Sequence, residues 1–224
     1  MLALLLLPVA WFGVAFPLGD VLEPSALSSY PIYGLECGRR LTEPPGDRVS
    51  VVQSVRVLLA TDEEWQELHG ESGDAKARSL LLGASSMFRG VAIHLLPVRI
   101  VEWDSPDDLA TVRDLTVAAE ETVPRREADI VVVLTAQKRD TFEDGYAQVG
   151  GRYVVVASHP GHPDQDVTVL AHELSHLFGA HHGCDVPGYE GLMAPGEFDG
   201  ASLICPCTRR VLEMNAQRFH TTNS

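Results

Sequence analysis

The segment His172-Glu173-Leu174-Ser175-His176-Leu177-Phe178-Gly179-Ala180-His181-His182 constrains this chain more than any other feature of its sequence. Val167, Val169 and Leu170 lead into it with an apolar helical pattern, and side chains four residues apart on a helix lie one turn above each other. His172 and His176 thus offer two imidazole nitrogens to a single zinc ion from one helical face. Glu173 sits beside them, close to the coordination position that stays open. A helix carried on past His176 would aim residue 182 away from the metal, so a third ligand there requires the chain to turn back. Gly179 supplies the permissive backbone for such a turn, and His182 then completes a three-histidine site, with its neighbour His181 outside it. Three protein ligands leave room for water, whereas purely structural zinc sites close with four, so one catalytic Zn2+ is expected.

Such a site carries an expected chemistry. Zinc acidifies a water and polarises a carbonyl, while Glu173 accepts the water's proton and passes it to a leaving amine, which amounts to hydrolysis of a peptide bond. No other catalytic pattern competes, because the sequence contains no G-x-S-x-G elbow, no Walker A loop and no G-x-G-x-x-G fingerprint.

Around the motif, the apolar pattern predicts alternating strands and helices. Val49, Val51, Val52, Val55, Val57, Leu58 and Leu59 form a β-branched run that reads as a buried strand. Thr61 and Glu64 fit a capping box opening a helix, and a second helix over about 74–88 carries Leu81, Leu82, Ser85 and Phe88 at helical spacing. Residues 93–103 read as a strand. Ser105 and Pro106 then read as the N-cap and first residue of a helix striped by Leu109, Val112, Thr116, Ala119 and Val123. Residues 130–134, 146–149 and 153–157 are further strand candidates, the last two separated by a Gly150-Gly151 turn. This alternation implies an α/β fold on a mostly parallel sheet.

With 224 residues, the chain has room for one catalytic domain over 48–224, preceded by a Pro-rich extension or short pro-segment over 19–47. Residues 1–18 are almost wholly apolar and read as an export signal cleavable after Ala15, or as an N-terminal anchor. The expected location is therefore secreted or extracytoplasmic, with membrane attachment where that segment is kept. In an exported chain the four cysteines, Cys37, Cys184, Cys205 and Cys207, read as disulfides. A bridge between Cys205 and Cys207 would be strained, which favours one of them closing onto Cys184 and the other onto Cys37. The net charge of -14, with no basic cluster larger than a pair such as Arg125-Arg126, argues against a nucleic-acid partner. The expected partner is a peptide or protein substrate, met by a monomer.

The HExxHxxGxxH pattern resembles that of the metzincin clan of zinc endopeptidases, and the chain from about Arg48 to Phe219 looks most like the adamalysin or reprolysin group. Met193, in Gly191-Leu192-Met193-Ala194-Pro195, matches the clan's Met-turn, a tight turn beneath the metal. The segment Gly145-Tyr146-Ala147-Gln148-Val149-Gly150 looks like the group's antiparallel edge strand, which pairs with an extended substrate. The resemblance thus implies a five-stranded, mostly parallel sheet with an antiparallel edge strand, an active-site helix, and a small C-terminal subdomain with a Met-turn and terminal helix. It also places Gly145, Tyr146 and Ala147 at the substrate. An exposed strand edge has free N–H and C=O groups that bind a peptide by β-augmentation.

The sequence departs from these relatives in places. Gly183 follows His182 where reprolysins generally have Asp. The archaemetzincin branch carries a second zinc on four cysteines, and Cys184, Cys205 and Cys207 lack the C-x-x-C pairs for it. Cys37 stands just before the catalytic domain, where some metzincins keep themselves latent with a pro-segment thiolate on the zinc. Two rival readings remain: a gluzincin-type hydrolase with Glu190 or Glu197 as third ligand, and an exported zinc-binding adhesion module that keeps the scaffold without turnover. Gly179, His182 and Met193 argue against the first, and Glu173 against the second.

Overall fold

Val57-Leu58-Leu59-Ala60, Ile130-Val131-Val132-Val133 and Val154-Val155-Val156 present apolar side chains to both sides, so a sheet built from them needs cover on both faces. In the computed structural model, which describes residues 52–137, 144–158, 161–182, 191–193 and 204–219, these runs are the three inner strands of one sheet. The strands are β1 (Gln53–Asp62), β2 (Ile93–Trp103), β3 (Ile130–Thr135), β4 (Gly145–Ala147) and β5 (Tyr153–Ala157), in the order β2-β1-β3-β5-β4. Neighbours run parallel except β4, which lies antiparallel to β5 at the edge. The sheet is the five-stranded, mostly parallel one that the sequence implies.

Alternation along the strands splits the core in two. Val57, Leu59, Ile130, Val132, Leu134, Val154 and Val156 face one side, where α2 (Gly73–Met87) and α4 (Pro163–Leu177) cover them. Leu58, Ala60, Val131, Val133 and Val155 face the other, under α3 (Val112–Thr122). The short α1 (Glu63–His69) follows β1, and α5 (Pro206–Asn215) packs against the first core through Val211 and Leu212, followed by a 3-10 turn over Ala216–Phe219. Among the described residues no helix is long and apolar enough to cross a membrane.

Several boundaries differ from the sequence reading, each for a physical reason. The first strand is described from Gln53 and continues to Asp62, because Thr61 still pairs with Glu102 on one side and Leu134 on the other. The cap of α1 is therefore Asp62, whose Oδ1 accepts from Trp65 N at 2.8 Å, and not Thr61. A cap contributes about 1 kcal/mol, and here the next residue supplies it without giving up strand pairing. Thr61 instead accepts a hydrogen bond from Gln66 Nε2 at 2.7 Å.

Ser105 and Pro106 do not start a helix. Ser105 N donates to Glu63 Oε2 at 3.0 Å, and Gln137 Nε2 donates to Ser105 Oγ at 2.7 Å, so both polar groups of Ser105 tie loops together. The helix begins at Val112, capped by Thr111, whose Oγ1 accepts from Asp114 N at 3.1 Å. The edge strand is Gly145–Ala147 rather than 146–149, since Gln148 enters the turn in which Gly151 N donates to its carbonyl. Helix α2 ends at Met87, one residue before the expected limit. Residues 1–51, and with them the signal, the pro-segment and Cys37, lie outside the described residues, as do Cys184, Glu190 and Glu197.

Candidate metal centre

Helix α4 opens with Pro163 at its first turn, together with Asp164 and Asp166, whose charges suit the positive end of the helix dipole. From Thr168 to Leu177 every residue is buried. Val169, Leu170, Leu174 and Leu177 join the core, and the same burial takes in His172, Glu173 and His176, which are 3%, 7% and 5% exposed. Three polar side chains this deep require partners.

The helix ends in a Schellman turn. Ala180 N donates to Ser175 O at 3.0 Å and Gly179 N to His176 O at 2.8 Å, with Gly179 in the left-handed region at φ 89°. The chain reverses there and brings His182 Nε2 within 3.0 Å of His172 Nε2 and 3.1 Å of His176 Nε2. His181 and His182 are both exposed, and only His182 joins this group.

Hydrogen bonding fixes the tautomers. His172 Nδ1 lies 2.6 Å from Leu192 O and His176 Nδ1 lies 2.7 Å from Ala180 O. A carbonyl only accepts, so both Nδ1 atoms carry the proton and both Nε2 atoms present lone pairs. Three imidazole nitrogens then converge with at most one proton among them, on His182. Such a set of lone pairs calls for a cation, and the nitrogens of two imidazoles on one zinc stand about 3.3 Å apart at ordinary bond lengths, close to the spacing here. Burial pushes the His172 imidazole below its usual range, and it pushes His176 down to about 4, so both are neutral at physiological pH. The donor set fits zinc.

Leu192 belongs to the 191–193 segment with Met193, which is 1% exposed and packs in the first core. The carbonyl before the methionine thus orients His172 from below. On the other side, β4 passes close to Glu173. A Cβ on Gly145 would stand 2.8 Å from Glu173 Cγ, 2.8 Å from Val169 Cγ1 and 3.2 Å from Val155 O, so only glycine fits. The structure therefore gathers Gly145, Tyr146 and Ala147 into an edge strand whose first residue touches the carboxylate-bearing side chain.

Sequence reasoning missed four groups: the carbonyls of Leu192 and Ala180, and the side chains of Asn215 and Arg218. Backbone acceptors leave no trace in residue identity. Asn215 left a faint one, since it falls on the same helical stripe as Val211 and Leu212 and so occupies a buried position, whereas Arg218 lies in the 3-10 turn beyond that helix and left none. Cys205 Sγ and Cys207 Sγ lie 2.9 Å apart, beyond the bond length of about 2.05 Å, and both partners proposed for them fall outside the described residues.

A buried helix bearing two histidines and a glutamate, a left-handed glycine, a returning third histidine and a methionine turn, all beside an antiparallel edge strand, define a zinc metallopeptidase of the metzincin kind. The sequence model of metallo-peptidase family M12, reprolysin type, matches residues 52–214. The chain belongs to that family, and the family implies a catalytic metal, typically zinc, and peptides or proteins as substrates. No curated protein matches the sequence. Among solved structures, archaemetzincin from Methanopyrus kandleri superposes with a TM-score of 0.55 at 18% identity, covering 76% of this chain and 98% of that one. A chain from a chaperone–substrate complex superposes with a TM-score of 0.61 at 16% identity, covering 77% of this chain and 36% of that one, so this chain spans about a third of its length. At these identities the likeness concerns the fold.

Proposed function

We propose that this protein is a zinc-dependent endopeptidase in which His172, His176 and His182 hold the metal and Glu173 is the general base. The observation that carries this reading is the convergence of three Nε2 atoms, two of them with lone pairs fixed by Nδ1–H donation to carbonyls. Zinc held there supplies a Lewis-acid charge that acidifies water and polarises a carbonyl. Glu173, one residue from His172 and buried, takes the proton of the attacking water and delivers it to the departing amine nitrogen. Its position against Gly145 sets the carboxylate next to β4, whose outer edge offers main-chain groups to an extended peptide. An edge that accepts a strand along its length suits cleavage within a chain, hence an endopeptidase. The adamalysin-like spacing of motif and edge strand supports a place in that branch, and the apolar residues 1–18 support export before a 19–47 extension and the 48–224 catalytic domain.

The test is zinc stoichiometry together with cleavage of a denatured protein substrate by wild type and Glu173→Gln. The expected result is one zinc per chain in both, with turnover reduced by about 10²–10⁴-fold in the variant. Undiminished cleavage by the variant would remove Glu173 from the mechanism. One zinc with no cleavage by either protein would favour the binding-module reading, and two zincs would point to a cysteine site.

A further inference from the structure

The last carbonyls of α4 each have a donor. Those of Leu174, Ser175 and His176 are served by main-chain N–H groups of Phe178, Ala180 and Gly179, and Gly150 N also donates to His176 O at 2.8 Å. Those of Leu177 and Phe178 are served by two side chains from the far end of the sequence. Arg218 Nη1 donates to Leu177 O at 2.6 Å and Asn215 Nδ2 to Phe178 O at 2.9 Å. Arg218 Nη2 also donates to Gly150 O, so one guanidinium joins the end of α4 to the turn between β4 and β5.

Arg218 is 4% exposed, its Nε has no hydrogen-bond partner, and no carboxylate lies within ion-pair distance among the described residues. Its neighbours are the Phe219 ring, 5.1 Å from Cζ, and Arg152, which stacks on the same ring. Burial, reinforced by the Arg152 charge, pushes its pKa down to about 10, so it remains charged at neutral pH. A buried charge without a counter-ion is a poor means of adding stability. What compensates it is the negative end of the α4 dipole and the carbonyls of Leu177 and Gly150, and the first of these borders the reversal that returns the chain to His182.

We propose that Arg218, with Asn215, is a positioning residue for the third zinc ligand: it clamps the turn at Phe178, Gly179 and Ala180 from outside, and so holds His182 over His172 and His176. The same clamp fixes Ala180 O, which orients His176. The inference rests on the zinc reading above. His182, exposed and tethered through this turn, is then the first ligand to leave when the clamp is loosened, and the rate of zinc release reports it.

The experiment compares zinc transfer to excess chelator from wild type, Arg218→Met, Arg218→Lys and Asn215→Ala, with Leu115→Ala as a control. Leu115 is fully buried on the opposite face of the sheet. Arg218→Met should release zinc about 10–100-fold faster than wild type, the range found for lost outer-shell support, with Arg218→Lys in between and Asn215→Ala showing a smaller acceleration. Leu115→Ala, with its melting temperature lowered, should release zinc at the wild-type rate. If Arg218→Met releases zinc no faster than Leu115→Ala, the proposal is overturned. If Arg218→Met does not fold, Asn215→Ala decides, and an unchanged release rate overturns the proposal. A wild type that takes up no zinc would overturn the site reading itself, which separates the two failures.

Discussion

On one face of the sheet, α3 lays Val112, Leu115 and Ala119 over Leu58, Val131 and Val155. Its one buried polar side chain turns onto a local partner, Thr116 Oγ1 donating to Val112 O one turn back. On the other face, α4, α5 and the 3-10 turn that follows α5 bury His172, Glu173, His176, Asn215 and Arg218 among leucines and valines. The partners there come from distant segments: Leu192 for His172, Phe178 for Asn215, Leu177 and Gly150 for Arg218. Both faces are buried. One is held by volume and area, the other by long-range polar contacts that must all be present together, so damage to the first should appear as lost stability and damage to the second as lost chemistry.

The sharpest way to break that contrast is His176→Ala. Loss of a ligand forfeits several kcal/mol of metal-derived stabilisation, so kcat/KM should fall by about 10³-fold or more while the metal-free fold persists. Circular dichroism with metal analysis and peptide cleavage would show it, and a variant that keeps its zinc would contradict the ligand assignment. Leu115→Ala is the mirror experiment. It should cost about 2–5 kcal/mol of unfolding free energy, measured in urea, with kcat per folded molecule unchanged.

Acidity separates the faces as well. In the metal-free protein, burial keeps His176 neutral down to about pH 4, whereas in the unfolded chain it takes its proton near 6.5. Between those values the unfolded state binds the extra proton, so stability falls as pH drops from about 6.5 toward 4 and is insensitive to this group above that window. Melting of the apo-protein across pH 4–8 should follow this course, and a flat profile over that range would contradict it. Gly145→Ala gives the smallest effect. Its methyl group must displace Glu173 or Val169, and a shift of that order at a reacting group is expected to lower kcat by about 10–100-fold, with zinc content unchanged. An alanine variant with wild-type kcat would show that the carboxylate tolerates the shift.

Much of this arrangement was legible before any coordinates. Spacing alone identified the histidines that the chain brings together, because a helix fixes the relation of His172 to His176 and Gly179 licenses the return of His182. Continuous β-branched runs marked the inner strands, since a doubly covered sheet leaves no polar face to blur them. Helix starts were less legible. Thr61 and Ser105 have the right chemistry for caps, yet strand pairing claimed one and a loop network claimed the other, and neither competitor is visible in a local window. Arg218 was illegible for a related reason: its partners are carbonyls 41 and 68 positions away, and sequence does not record where a backbone oxygen will end up.

The edge strand β4 is only three residues long. A ladder that short gives a docked chain a handful of main-chain hydrogen bonds, each worth about 1 kcal/mol net. That is far less than it takes to pull a strand out of a folded domain, whose stability is about 5–15 kcal/mol. On the endopeptidase reading proposed above, a blade mounted on so small a grip would select by looseness before it selects by sequence, and would cut where another protein has already come undone.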